Sequence, residues 1–136
     1  MQVYKKILVA IDCSPVDEAI LGHVSALALQ NKAKVYLLRV VHSHTLDQDR
    51  VLHQKTKKCM ESYQKQLQEQ GIDTAVVIRS GEPDEQILEE IRENNYDLMA
   101  MATHGHTFIG DLLFGSVSRT LKHKIEIPLL LIKSRK

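Results

Sequence analysis

Apolar residues fall in short clusters along the chain, and most clusters are unbroken rather than alternating. Lys5-Lys6-Ile7-Leu8-Val9-Ala10-Ile11 is strand-length and almost wholly apolar, which predicts a strand buried on both faces over 5–11. Asp12-Cys13-Ser14-Pro15 stops it. Ser14 stands where an N-cap would, Pro15 at the first helical position and Asp17 as a capping-box acid. Ile20, Leu21, Val24, Leu27 and Ala28 then recur at helical spacing to about Gln30. A second strand is predicted over 35–41. A polar stretch, 42–49, leads into a helix from about Asp49 to Gln70, ended by Gly71. A third strand follows over 74–78, then a helix opened by Gly81-Glu82-Pro83 with Ile87, Leu88 and Ile91 on one face. The pattern closes with a strand over 97–102, a loop over 103–111, a helix from about 112 to 123 and a strand over 128–132.

Strand and helix therefore alternate from end to end. Right-handed crossovers turn that alternation into an α/β fold: a five-stranded parallel sheet with helices on both faces, Rossmann-like. No repeat, linker or low-complexity tract interrupts it, so one domain is expected over 1–136. Composition agrees, with 43% apolar and 26% charged residues. The 18 basic and 17 acidic residues leave a formal charge of +1, which gives no electrostatic case for nucleic acid. Lys55, Lys57 and Lys58 read as a solvated helix face. No apolar run is long enough to span a membrane, and the opening Met1-Gln2-Val3-Tyr4-Lys5-Lys6 lacks the features of a signal peptide. The two cysteines, Cys13 and Cys59, are far apart in sequence and read as free thiols, so a cytoplasmic setting is expected. Cys13 precedes a helix N-terminus, which can activate a thiol, but an idle thiol is the expectation.

Ligands of open parallel sheets gather at the carboxyl ends of the strands. The polar residues expected there are Asp12, the His42 region and Thr103-His104-Gly105. After the fourth strand, nine residues separate Gly105 from Gly115-Ser116-Val117-Ser118 at a helix start. Glycine admits an anion close to the backbone, a helix N-terminus offers free N–H groups, and Ser116 and Ser118 add hydroxyls. Phosphate cradle and plain tight turns both fit that spacing.

These residues resemble the universal stress protein family. Lys5 to Ser14 looks like the family's first strand and its Asp-x-Ser turn, Leu37 to Val41 like its second strand, and Gly105-x9-Gly115-Ser116 like its nucleotide loop. The resemblance implies an adenine-nucleotide site for ATP or AMP, possibly with Mg²⁺. In it Asp12 would bond the adenosine, Ala10 and Val40 would line the base slot, and Gly105, Gly115, Ser116, Val117 and Ser118 would hold phosphates. Ala102, His104 and His106 belong to the same loop. Ala102 stands where the family has the loop's first glycine, and His106 where many relatives have a cation. The resemblance also implies a homodimer through the last strand and a regulatory, stress-response role.

Other chemistries fit less well. Thr103-His104-Gly105-His106 matches a nucleotidylyltransferase signature, but after the wrong strand. His42-x-His44 and His104-x-His106 could hold zinc only if they converged, and no metal is expected. Phosphoryl transfer asks for an acid on a metal and a cation for developing charge, and 103–118 contains no lysine or arginine. Slow ATP hydrolysis is the most that is expected. The alternatives to a nucleotide-binding module are a weak ATPase or phosphotransferase, or a dimeric interaction protein with a vestigial pocket.

Overall fold

Each apolar run becomes a strand, and the strands lie side by side and parallel in a computed structural model that describes residues 3–41, 46–104 and 119–134. The order along the chain is β1 (Lys6–Ala10), α1 (Asp17–Asn31), β2 (Lys34–Val41), α2 (Leu46–Glu69), β3 (Thr74–Ser80), α3 (Pro83–Glu93), β4 (Leu98–His104) and β5 (Leu129–Ser134). Residues 119–124 are helical between β4 and β5. Across the sheet the order is β3-β2-β1-β4-β5, so the winding direction reverses between β1 and β4. This is the Rossmann-like arrangement that the alternation predicts.

Burial on both faces explains the unbroken apolar runs. Ile7, Val9 and Ile11 pack with Ile20 and Val24 of α1 and with Met60 and Leu67 of α2. Leu8 and Ala10 point the other way, into a second cluster with Ile87 and Leu88 of α3 and with Leu121. Burying each such aliphatic side chain is worth roughly 1.5–3 kcal/mol. At the opposite end of β1, the backbone N–H groups of Lys5 and Lys6 both donate to Asp97 Oδ2 at 2.9 Å, which ties the strand's entry to that of β4.

The element limits differ from the sequence pattern at three informative places. The fourth strand continues through Thr103 and His104, in register with Lys133 and Ser134 of β5, instead of ending at 102. Ala102 is therefore a strand residue, 3% exposed in the core, and does not begin a loop. The pairing partner decides the strand's length, and β5 runs further than its apolar residues suggest. The second helix starts at Leu46, earlier than its apolar spacing indicates. The first starts at Asp17, and Ser14 does not cap it; its N-cap position is Val16, without a side-chain cap. Gly71 takes the left-handed conformation expected of it, with φ +88°.

Gly81 shows where the backbone has no tolerance. Its φ is +136°, and a Cβ there would come within 3.0 Å of Gln86 Nε2, while its N–H holds Val41 C=O at 3.0 Å. Gly81→Ala is expected to lower stability by about 1–3 kcal/mol, read as a fall in the urea midpoint; an unchanged midpoint contradicts this account.

Candidate functional site

The central strand is shorter than both its neighbours, and that leaves a notch in the sheet's carboxyl edge. Ala10 pairs with Leu38, so β2 runs on for three residues, Arg39 to Val41. Val9 pairs with Ala100, and β4 likewise continues to His104. The Ile11 N–H donates to Leu38 C=O at 2.8 Å. Peptide groups two residues apart face the same way along a strand, so those of Val40 face the side where β1 has stopped. One of them is partly used, since Arg39 Nη1 donates to Val40 C=O at 2.8 Å. Below the notch, Ala10 and Val40 meet Pro83 and Ile87 across a crevice of about 10 Å³, room for about one water. A planar base would have to part these walls to enter.

The chain leaves the notch through a tight polar turn. Cys13 has φ +60°, in the left-handed region, a rare conformation for a non-glycine residue. Asp12 Oδ1 accepts from the Ser14 N–H at 3.0 Å and from Ser14 Oγ at 2.5 Å. This explains the missing cap: the hydroxyl expected at the helix end is spent on Asp12, and the Asp17 N–H donates instead to Ser14 C=O at 3.0 Å. Asp17 does reach back as a capping-box acid would, but to the Asp12 N–H, at 3.3 Å.

Asp17 is the most unusual group of the site. It is 1% exposed, accepts a hydrogen bond from the Tyr63 hydroxyl of α2 at 2.9 Å, and feels both Asp12 and Arg39. Burial first, then the neighbouring Asp12 charge, push its carboxyl up to about 7, against a smaller opposing pull from the Tyr63 hydroxyl. The Tyr63 phenol is raised in turn, by its own burial and then by Asp17. Arg39 is pulled down by burial while Asp12 and Asp17 hold it up, and its Nε has no hydrogen-bond partner among the described residues.

Beside this acid lies a bond that overturns the reading of two free thiols. Cys13 and Cys59 form a disulfide at a sequence separation of 46, with Cα atoms 6.2 Å apart, within the ordinary span for such a bridge. The helix α2 crosses back over the β1 tip and brings Cys59 onto Cys13, a closeness that linear spacing conceals. Asp17 offers a carboxylate oxygen within 4.8 Å of both sulfurs.

Of the residues expected to hold ligand, Ala10 and Val40 line the crevice at the notch, and Asp12 lies in the turn that leaves β1. Ala102 and His104 belong to β4, on the notch's other flank. Gly105, His106, Gly115, Ser116, Val117 and Ser118 lie outside the described residues, as do His42 and His44. Sequence reasoning missed Arg39, Tyr63, Cys59 and the burial of Asp17. Arg39 carried a signal, a charge inside an otherwise apolar strand; the others carried none. A groove of about 710 Å³ lies elsewhere, between α1 and α2. No described helix is long and apolar enough to cross a membrane.

Comparison with known proteins adds the family. A model of the universal stress protein family matches residues 3–133. Universal stress protein MJ0577 of Methanocaldococcus jannaschii is 26% identical over 98% of this chain and 97% of its own. Its solved structure superposes with a TM-score of 0.83 and 29% identity, over 98% of this chain and 99% of that one. A universal stress protein of Archaeoglobus fulgidus, solved with dAMP, shares the fold at TM-score 0.74 and 21% identity, over 96% and 99% of the two chains. One from Arabidopsis thaliana, solved with AMP bound, does so at TM-score 0.71 and 21% identity, over 96% and 92%.

Asp17 makes stability depend on pH. Between its ordinary value of 3.8 and its folded value of about 7, the native state keeps a proton that the unfolded chain releases. Stability therefore falls as pH rises through that window, by on the order of 4 kcal/mol in total. Asp17→Asn should remove most of the decline, measured as urea midpoints across that pH range. A decline of equal size in the variant contradicts the assignment.

Proposed function

The chain belongs to the universal stress protein family, and we propose that it binds an adenine nucleotide, ATP or AMP, in the notch at the carboxyl edge of its sheet. The observation that carries this reading is the early end of β1 between two longer strands, at the point where the winding reverses. Such switch points are where open α/β sheets take ligands. The peptide edge of Val40 suits the edge of a base, Ala10 is small enough to lie beside it, and Asp12 stands at the adenosine end. Gly105, Gly115, Ser116, Val117 and Ser118 would supply amides and hydroxyls to phosphates, with Ala102, His104 and His106 flanking that loop. Mg²⁺ would accompany a triphosphate. The dAMP and AMP bound by the Archaeoglobus and Arabidopsis relatives support the same ligand class.

We read the protein as a one-domain cytoplasmic regulatory module of the stress response rather than an efficient catalyst. A homodimer through β5 is part of this reading. That strand is an edge of the sheet, and Leu131 on it is 39% exposed; an apolar edge invites pairing with a second copy.

Three experiments test these statements. Native protein denatured and analysed by mass spectrometry should release an adenylate, and Gly115→Val should lower calorimetric affinity for ATP at least about tenfold, because a side chain blocks backbone approach to phosphate. Absence of any adenylate, with unchanged affinity in the variant, removes the proposal. Leu131→Lys should convert a dimer to a monomer in sedimentation; an unaltered dimer places the interface elsewhere.

A further inference from the structure

We propose that Cys13 and Cys59 form a reversible thiol–disulfide exchange site for small thiols and dithiols, with Asp17 as its built-in proton donor. This goes beyond nucleotide binding and does not depend on it.

Three features distinguish this bridge from a purely structural staple. Cys13, on the turn at the β1 tip, is the more open of two cysteines neither of which is fully buried, so an incoming thiolate finds its sulfur the easier one to attack. Cys13 is held at φ +60°, a conformation uncommon for a non-glycine residue, in a turn that the Asp12–Ser14 hydrogen bonds keep in place whether the bridge is closed or open. A buried carboxyl, Asp17, has an oxygen within 4.8 Å of both sulfurs.

The chemistry balances without a further cofactor. A thiolate attacks Cys13 Sγ, the sulfur–sulfur bond breaks, and its electron pair goes to Cys59 Sγ. That nascent thiolate takes a proton from the Asp17 carboxyl, which is later reprotonated from water. A second thiol displaces the mixed disulfide on Cys13. The sum is one protein disulfide plus two thiols giving two protein thiols plus one external disulfide.

The groups facing Asp17 set when it can act. Asp12 on the β1–α1 turn opposes its charge, Arg39 of β2 and the Tyr63 hydroxyl of α2 favour it, and burial outweighs them, so the acid loses its proton at about pH 7. The donor is available below that pH and spent above it.

The test follows reduction of the full-length oxidised protein by excess dithiothreitol, quenched with iodoacetamide and read by mass spectrometry. Rates are divided by the concentration of dithiothreitol thiolate. From about pH 6 to about pH 8 the normalised wild-type rate should fall about tenfold. In Asp17→Asn it should be about tenfold lower at the acid end and flat with pH. Tyr63→Phe, which removes a bond favouring the carboxylate, should move the midpoint of the fall to higher pH. It decides the matter should Asp17→Asn not fold. Equal normalised rates and profiles in wild type and Asp17→Asn, an unmoved midpoint in Tyr63→Phe, or a bridge that excess dithiothreitol does not open would each overturn the proposal.

Discussion

A strand in the middle of a parallel sheet is stabilised by both neighbours only as far as it runs, and β1 stops before either of them does. Its partners in register are Leu38 and Ala100, yet β2 continues to Val41 and β4 to His104. Beyond Ile11 the backbone turns away, because Asp12 takes the amide and hydroxyl of Ser14 and Pro15 has no N–H to offer a ladder. The peptide groups of Val40 are left facing a gap. That gap, and the polar turn beside it, follow from where one strand ends.

The constraint also explains why the site's charges are concentrated. Both faces of the sheet are covered by helices, so the strand bodies are apolar and polar groups collect at the tips. Asp12, Asp17, Arg39 and Tyr63 share one small region, where burial makes each charge sensitive to the others. Arg39 touches both halves of the arrangement. Its guanidinium bonds the Val40 carbonyl on the notch side and acts on the two carboxyls by charge.

The disulfide joins that turn to α2, and the Tyr63 hydroxyl joins the same two elements through Asp17. One contact is covalent and redox-dependent, the other ionisable. The β1 tip therefore has two ties to the helix above it, each answering to a different solution variable. The residue between them and the proposed ligand, Asp12, is part of the same turn.

Much of this was legible along the chain, because its signals are local. Unbroken apolar runs of strand length, helical spacing between them, and Gly71 at a helix end require only neighbours in sequence, and the sheet with its two covered faces follows from them. Asp12 could be named because it follows a strand tip, whereas Ala10 and Val40 were named only through the family resemblance. The rest depends on chain segments that meet in space. Ser14 was lost as a cap because Asp12 competes for its hydroxyl. The fourth strand gained Thr103 and His104 from its pairing with β5. Cys13 found Cys59 across 46 residues, and Asp17 became a buried acid only when α2 closed over it. Periodicity and turn chemistry determine which elements form; pairing, burial and the packing of distant helices decide where a strand ends, which thiols meet and which carboxyl keeps its proton.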